Sequence, residues 1–291
     1  MKVSGFTFVK NAVKYDYQIV EAITSILPVC DEFIVAVGDS DDGTMELIKS
    51  IGSDKIRIVE TVWDETMKEG GRILAVETNK AFAEVSEDAD WAFYLQADEV
   101  VHEKYLDTIV QAMAQYQDDP AIDGLLFNYH HFYASYDYTG ASSRWYEHEI
   151  RVIRNDKSIY SYRDAQGFRK GENEKLIVKP IDAYIYHYGW VRESDAMKLK
   201  LVQSSNYGYI DKGIRKETVH SNDYDYLSIV DELRAFTESH PEVMKKRIAQ
   251  KNWKFEYDLS KSTKSLKDSF KIFCRDYLGL NFYYKNYIIR K

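Results

Sequence analysis

Trp91-Ala92-Phe93-Tyr94-Leu95-Gln96-Ala97-Asp98-Glu99 is the stretch on which the reading of this chain turns. Its apolar residues read as a buried strand, and they stop at a polar segment whose Asp98 and Glu99 sit where such a strand leaves a sheet. In an open α/β sheet, ligands gather outside the carboxyl ends of the strands, so an acid there can meet a cation or a substrate. The alternative is a strand followed by a solvated acidic turn. The flanking sequence decides between the two.

Upstream, Val3 to Val9 reads as a strand ending at Lys10-Asn11, followed by a helix through Ile19, Val20, Ile23, Ile26 and Leu27, with Asp16 expected as its cap. The apolar run Phe33 to Val37 is a second strand, leading into Gly38-Asp39-Ser40-Asp41-Asp42-Gly43-Thr44 and a helix from Met45 to Ile51. Asp42 and Thr44 suit the capping of that helix. Ile56 to Val59 is a third strand, and Gly70-Gly71-Arg72 opens a helix that leads back to Trp91. Strands alternating with helices over a hundred residues predict an α/β fold with a mostly parallel, doubly wound sheet and right-handed crossovers.

Downstream, a helix over 103–117 and a strand over 124–129 continue the rhythm, which then breaks. Residues 132–170 are rich in Tyr, Ser and Arg, with strand candidates at Glu149–Ile153 and Ile181–Tyr186. Such a change is expected where a sheet receives antiparallel strands. From Asp195 the pattern looks helical, with pieces over Glu232–Thr237 and Val243–Gln250.

The 291 residues carry a net charge of -8, but residues 245–291 hold 13 Lys and Arg against 4 Asp and Glu, leaving -17 on residues 1–244. A helix candidate in that basic tail combines Leu266, Phe270, Phe273 and Tyr277 with Lys264, Lys267, Lys271 and Arg275, and Phe282-Tyr283-Tyr284 follows. The pattern is read first as an amphipathic helix packed on the domain, and second as one lying on an anionic membrane surface. No nucleic-acid-binding module surrounds these residues, so nucleic acid is not an expected partner. Two cysteines, Cys30 and Cys274, give neither a disulfide framework nor a metal-ligand spacing. With no signal-like N-terminus and no long apolar run, the expected location is cytoplasmic, at most peripheral on the inner face of the membrane.

Phe8-Val9-Lys10-Asn11, Val37-Gly38-Asp39-Ser40-Asp41-Asp42-Gly43-Thr44 and Gln96-Ala97-Asp98-Glu99 occur in an order and spacing that resemble the family 2 inverting glycosyltransferases, which have a GT-A fold. The sequence departs from the family pattern at Gly38, where an acid is usual, and at Gln96, which replaces the first Asp of an Asp-x-Asp motif. The middle of the chain is similar to members that build bacterial lipopolysaccharide cores and surface glycans: Ile150-Arg151-Val152-Ile153-Arg154, then Arg163-Asp164, then His187-Tyr188-Gly189-Trp190.

The resemblance implies a catalytic domain over 1–193, with a nucleotide-sugar half to about 103 and an acceptor half after it. Residues 194–291 would be a helical, basic, aromatic extension. Val9, Lys10, Asn11 and Asp39 are then the nucleotide contacts, Gln96 a ribose contact, and Asp98 and His187 the ligands of Mn²⁺ or Mg²⁺. Asp164 is the general base, with Glu147 and Glu149 as rivals. Arg72, a cation at a helix start, is a candidate for diphosphate contact, a solvated surface arginine being the alternative. His130 and His131 are acceptor-site candidates, although neighbours in a strand face opposite ways. The implied activity is transfer of a sugar from a nucleotide diphosphate sugar, a UDP-sugar by expectation, to a glycan or lipid-linked acceptor. The alternatives are a nucleotidyltransferase of related fold and a non-catalytic nucleotide- or glycan-binding relative.

Overall fold

The computed structural model describes residues 1–208, 224–228, 230, 232–261, 269–270, 273–274, 277–278 and 285–290. Four strands form the parallel part of the main sheet in the order β3 (Ile56–Thr61), β2 (Glu32–Gly38), β1 (Val3–Val9), β4 (Trp91–Tyr94). Helices α1 (Ile19–Ile26), α2 (Thr44–Lys49) and α3 (Arg72–Ala83) make the crossovers. β1, β2 and β4 are covered on both faces, whereas the edge strand β3 leaves Arg57 and Glu60 exposed. Phe33, Val35, Val37, Trp91, Phe93 and Leu95 pack into one core layer. Their neighbours Ile34, Ala36, Ala92 and Tyr94 pack into the layer on the other face, as the two-residue period of a strand requires.

Beyond β4 the sheet turns antiparallel. After β5 (Glu99–Val101) and α4 (Leu106–Gln115) come β6 (Gly124–Tyr133), β7 (Tyr138–Gly140) and β8 (His148–Arg154). Strand β8 inserts between β4 and β6, antiparallel to both. A separate small sheet consists of β9 (Ile159–Tyr162), β10 (Gly167–Lys170) and β11 (Glu174–Lys175). The long β12 (Ile177–Trp190) runs parallel to β6 and antiparallel to β5, where His187 lies opposite Glu99. That register brings the family-like histidine beside the acidic turn.

Helix α5 (Ser194–Asn206) follows, and the described residues beyond it hold short 3₁₀ turns, a short helix and two short strands. The helix expected over Glu232–Thr237 is instead a strand, β13 (Leu233–Ala235). The open edge of β7 takes it as an antiparallel partner, Leu233 opposite Gly140 and Ala235 opposite Tyr138. The expectation for Val243–Gln250 is met by a 3₁₀ turn, Glu242–Met244, and a short helix, Lys245–Ala249. Asp16 does not cap α1, whose N-cap is Gln18. It adopts a left-handed φ of 49° and pairs with Arg247 from that short helix. The chain finally returns as β14 (Ile288–Ile289) on the edge of β12, and Asn286 just before it binds Tyr162 of β9 and Arg169 of β10.

Of the basic aromatic tail, Lys264, Leu266, Lys267, Lys271, Arg275 and 282–284 lie outside the described residues. Phe270, Phe273 and Tyr277 are described, and all three side chains are exposed. No described helix is long and apolar enough to cross a membrane.

Glu99, the first residue of β5 after the turn that closes β4, is fully buried and receives two hydrogen bonds of 2.7 Å from the Arg151 guanidinium on β8. The Tyr129 hydroxyl on β6 donates a third, at 2.9 Å. A buried ion pair adds little net stability compared with apolar packing, but removing one partner strands a charge. Arg151→Ala is therefore expected to cost about 3–5 kcal/mol in urea unfolding. A loss below about 1 kcal/mol, the range of an exposed pair, would contradict this role.

Candidate active site

A cleft of about 1790 Å³ opens at the carboxyl ends of β1 and β4 and runs along β8, β9, the end of β12 and α5. Sites for one small ligand hold roughly 300–1,000 Å³, so this one has room for two. Val9, Lys10, Arg72, Gln96, Asp98, Asp164 and His187 all line it. Asn11 and Asp39 brace its rim. Asn11, at a left-handed φ of 54°, accepts at Oδ1 from the Asp41 backbone N–H, and its own N–H donates to Ser40 Oγ. The loops after β1 and β2 are thereby tied together. Asp42 accepts from the Thr44 N–H and hydroxyl, but the N-cap of α2 is Gly43 at a left-handed φ of 83°, so Asp42 is not the capping residue expected.

The Lys10 ammonium binds Asp39 at 2.9 Å, and the Trp63 backbone N–H donates to the same carboxylate oxygen at 3.2 Å. Burial opposes the charge of Asp39, but these two donors hold its pKa below the usual value. Gly38 has no room for the acid usual in the resembling family. A Cβ there would stand 2.4 Å from Trp63 Nε1 and 3.0 Å from Lys10 Cβ. Arg72 is exposed as the first residue of α3, after Gly70 and Gly71 with φ of 55° and 72°. Gln96 donates from Nε2 to the Ala165 carbonyl at 3.2 Å, joining the acidic turn to the loop that carries Asp164.

Asp98 is 6% exposed. Its Oδ2 accepts from Lys200 Nζ at 2.9 Å and has Arg192 Nη2 at 3.6 Å, while Oδ1 faces His187 Nε2 at 3.7 Å. Burial works to raise its pKa, and the two neighbouring cations overcome this and hold it well below the carboxylate range. Burial pushes the Lys200 ammonium down to about 8, so it stays largely charged at pH 7. Burial also brings His187 down to about 4, against the pull of Asp98, and leaves the imidazole neutral.

The protonation pattern of the histidines follows from their partners. His131 Nε2 lies 2.8 Å from the Tyr146 carbonyl, which can only accept, so that nitrogen carries the proton. Burial keeps His131 neutral, and its Nδ1 is therefore an acceptor for His187 Nδ1 at 2.9 Å. His187 Nε2 is left with its lone pair towards Asp98 Oδ1. Gly189 keeps the space beside them open, since a Cβ there would stand 2.5 Å from His187 Nε2 and 3.0 Å from Asp98 Oδ2. His130 points to the other face of β6 and stacks on Tyr184 at 4.5 Å.

Asp98 Oδ1 and His187 Nε2 suit a divalent cation: at 3.7 Å apart, both can reach one ion over bonds of about 2.1 Å. Among the described residues no group of three or more His, Cys, Asp or Glu gathers to hold a metal. A cation here would have two protein ligands and would complete its shell from water and substrate oxygens, as Mg²⁺ commonly does.

Two carboxylates flank the other wall. Asp164 lies between Arg163 and Ala165, both at left-handed φ (57° and 62°), in the turn between β9 and β10. Desolvation raises its pKa. Glu149 on β8 is more deeply buried, and burial lifts it to about 7 against the nearby Arg151 charge. Gln166 donates to it at 3.2 Å and the Ile150 N–H at 3.0 Å. Trp145, Tyr146, Trp190, Tyr160 and Tyr162 supply an aromatic lining, and the Arg144 guanidinium lies 5.4 Å and 5.2 Å from the Trp145 and Trp190 rings.

No family model matches the chain. Over 118 residues it is 28% identical to an uncharacterized glycosyltransferase of Rickettsia typhi, a stretch covering 40% of this chain and 35% of that protein. The chain thus matches about a third of the length of this curated relative. Among solved structures, TarS of S. aureus is similar over 70% of this chain and 39% of its own, at 15% identity and a TM-score of 0.40. Glucosyl-3-phosphoglycerate synthase from Mycobacterium tuberculosis, in complex with Mn²⁺, UDP and glucosyl-3-phosphoglycerate, is similar over 73% of this chain and 82% of its own, at 13% identity and a TM-score of 0.38. At scores this low, function has to be read from the chain's own residues.

The sequence patterns did not single out Lys200 or Arg192, which surround Asp98, and they placed Arg151 in a motif without the role it has here, pairing with Glu99. Arg192 sits two residues after Trp190, at the end of the family-like strand, and a cation there was a usable signal. Lys200 lies 102 positions from Asp98 on a helix with no distinctive local pattern.

Gly38→Asp, which restores the acid expected from the family, is predicted to destabilise by about 1–3 kcal/mol through overpacking against Trp63. Urea unfolding of the variant measures this. An unchanged midpoint would show that the ring moves aside freely.

Proposed function

We propose that the chain is an inverting glycosyltransferase of the GT-A fold, which moves a sugar from a nucleotide diphosphate sugar, a UDP-sugar by preference, to a glycan or lipid-linked acceptor. The observation that carries this reading is the meeting in one cleft of Lys10 after β1, Asp98 after β4, His187 at the end of β12 and the desolvated Asp164 across the gap. The two-residue donor set described above also favours a cation that needs substrate oxygens.

In this reading Lys10 and Asp39 receive the nucleoside, and Asp98 Oδ1 with His187 Nε2 would hold Mn²⁺ or Mg²⁺. When bound, that cation neutralises charge on the departing diphosphate. Asp164 takes the proton of the acceptor hydroxyl as the oxygen attacks the anomeric carbon from the face opposite the leaving group. One displacement then inverts the anomeric configuration. The aromatic wall suits the apolar faces of sugar rings. The exposed Phe270, Phe273, Tyr277 and Leu278 in a basic tail favour contact with the membrane that carries a lipid-linked acceptor.

Glu149 is the second reading for the base, favoured by its pKa of about 7. A base works only as the carboxylate, so activity rises as pH passes upward through its pKa. With Glu149 as base, donor turnover is still rising at pH 7; with Asp164 its acidic limb is shifted upward from that of a free aspartate by desolvation.

Release of UDP from UDP-sugars, with water as acceptor, measures both. Asp164→Asn is expected to lower turnover by roughly 10²–10⁴-fold with UDP affinity kept, while Glu149→Gln stays within a few-fold. The reverse pattern would move the base to Glu149. Absence of nucleotide binding from any of UDP-, GDP- and dTDP-sugars would overturn the reading as a whole.

A further inference from the structure

Asp98 is the only carboxylate within ion-pair distance of Lys200 or Arg192 among the described residues, and it meets both. One carboxylate therefore faces two cationic side chains. The Arg192 guanidinium is completely buried, with Nε donating to the Tyr15 carbonyl and Nη1 to the Gly189 carbonyl. Its Nη2 has no hydrogen-bond partner, and the 3.6 Å to Asp98 is too long for one. Lys200 Nζ donates to Asp98 and, at 2.8 Å, to the Gly189 carbonyl. An ammonium has three donors, and this one lines the cleft with a side chain 18% exposed. Two cations sharing one carboxylate, with the buried Arg192 Nη2 lacking a hydrogen-bond partner and the Lys200 ammonium lining the cleft 5.5 Å from the Tyr17 ring, call for an anion.

We infer that Lys200 is a resident cation for the donor's diphosphate, standing on the Oδ2 side of Asp98 while Oδ1 and His187 remain free for a divalent ion. The inference rests on the nucleotide-sugar reading and deepens it. Leaving-group charge is then shared between a cation built into α5 and one that arrives with the donor. Arg192 acts behind Lys200 as a positioning residue: it shares Asp98 and donates to the same Gly189 carbonyl that Lys200 binds.

The position of α5 makes this contact dependent on the shape of the cleft. The Tyr207 carbonyl just past the helix accepts from the Gly71 N–H at 3.1 Å, and the Tyr207 ring packs on Trp63 at 5.3 Å between centroids. The same contacts that seat Lys200 therefore join α5 to the start of α3, where Arg72 stands. Lys200 and Arg72 are placed to approach a bound diphosphate from two walls.

The test is the affinity of the 291-residue chain for UDP by calorimetry, in EDTA and in Mn²⁺. Wild type is expected to bind UDP in EDTA within about tenfold of its affinity in Mn²⁺, a factor that corresponds to ~1.4 kcal/mol. Lys200→Ala is expected to lose tenfold or more in EDTA and to regain most of the loss in Mn²⁺, because Asp98 is then free to serve the metal fully. Lys200→Arg keeps the charge and should bind in EDTA, which separates lost charge from lost folding. The inference is overturned if wild type binds UDP only with Mn²⁺, or if Lys200→Ala matches wild type in both buffers. If wild type binds none of UDP, GDP and dTDP in either buffer, the nucleotide-sugar reading fails and the inference with it.

Discussion

Two adjacent carboxylates, Asp98 in the turn after β4 and Glu99 at the start of β5, are buried, and a buried carboxylate without a paired cation is costly. Each draws its own. Glu99 takes Arg151 from β8, and Asp98 takes Arg192 from the segment after β12 and Lys200 from α5. Three elements distant in sequence are thus fixed around one turn. The antiparallel half of the sheet, the end of β12 and the first helix of the C-terminal region converge on the carboxyl end of the parallel half for this electrostatic reason as well as for packing.

The two acids divide the work because their partners differ in geometry. Arg151 engages Glu99 with two short hydrogen bonds, and the Tyr129 hydroxyl and the Gln96 N–H supply a third and a fourth, which fills its acceptor positions. That acid holds the turn in place. Asp98 keeps Oδ1 towards a histidine whose tautomer is set by His131 and the Tyr146 carbonyl. A chain of three acceptor–donor choices, beginning at a backbone carbonyl, thereby aims a lone pair at the cleft. In the proposed function, the acid of the pair that acts is the one whose coordination is incomplete.

Much of this was legible in the sequence where local pattern and position agree. The β1, β2 and β4 runs, the loops at their ends and the strand leading to His187 all carried their own periodicity, and the cleft assembles from those loops. Asp98 and His187 were expected together and stand 3.7 Å apart. What was not legible depends on long-range contact. β13 looks helical in isolation and becomes a strand because β7 offers it an edge. Gly38 reads as a departure from a family pattern until Trp63, 25 residues on, is seen to fill the space. Lys200 has no local signature, because a buried cation is defined by the carboxylate it meets and not by its neighbours along the helix. Asn286 joins the site from the far end of the chain for the same reason.

The most direct measurement is a crystal structure of the chain with UDP bound. The diphosphate is expected within hydrogen-bond distance of Lys200 Nζ and beside Asp98 and His187, with the nucleoside against the loops after β1 and β2 at Lys10 and Asp39. A nucleotide bound outside this cleft, or one whose diphosphate lies away from the Asp98 turn, would contradict the account.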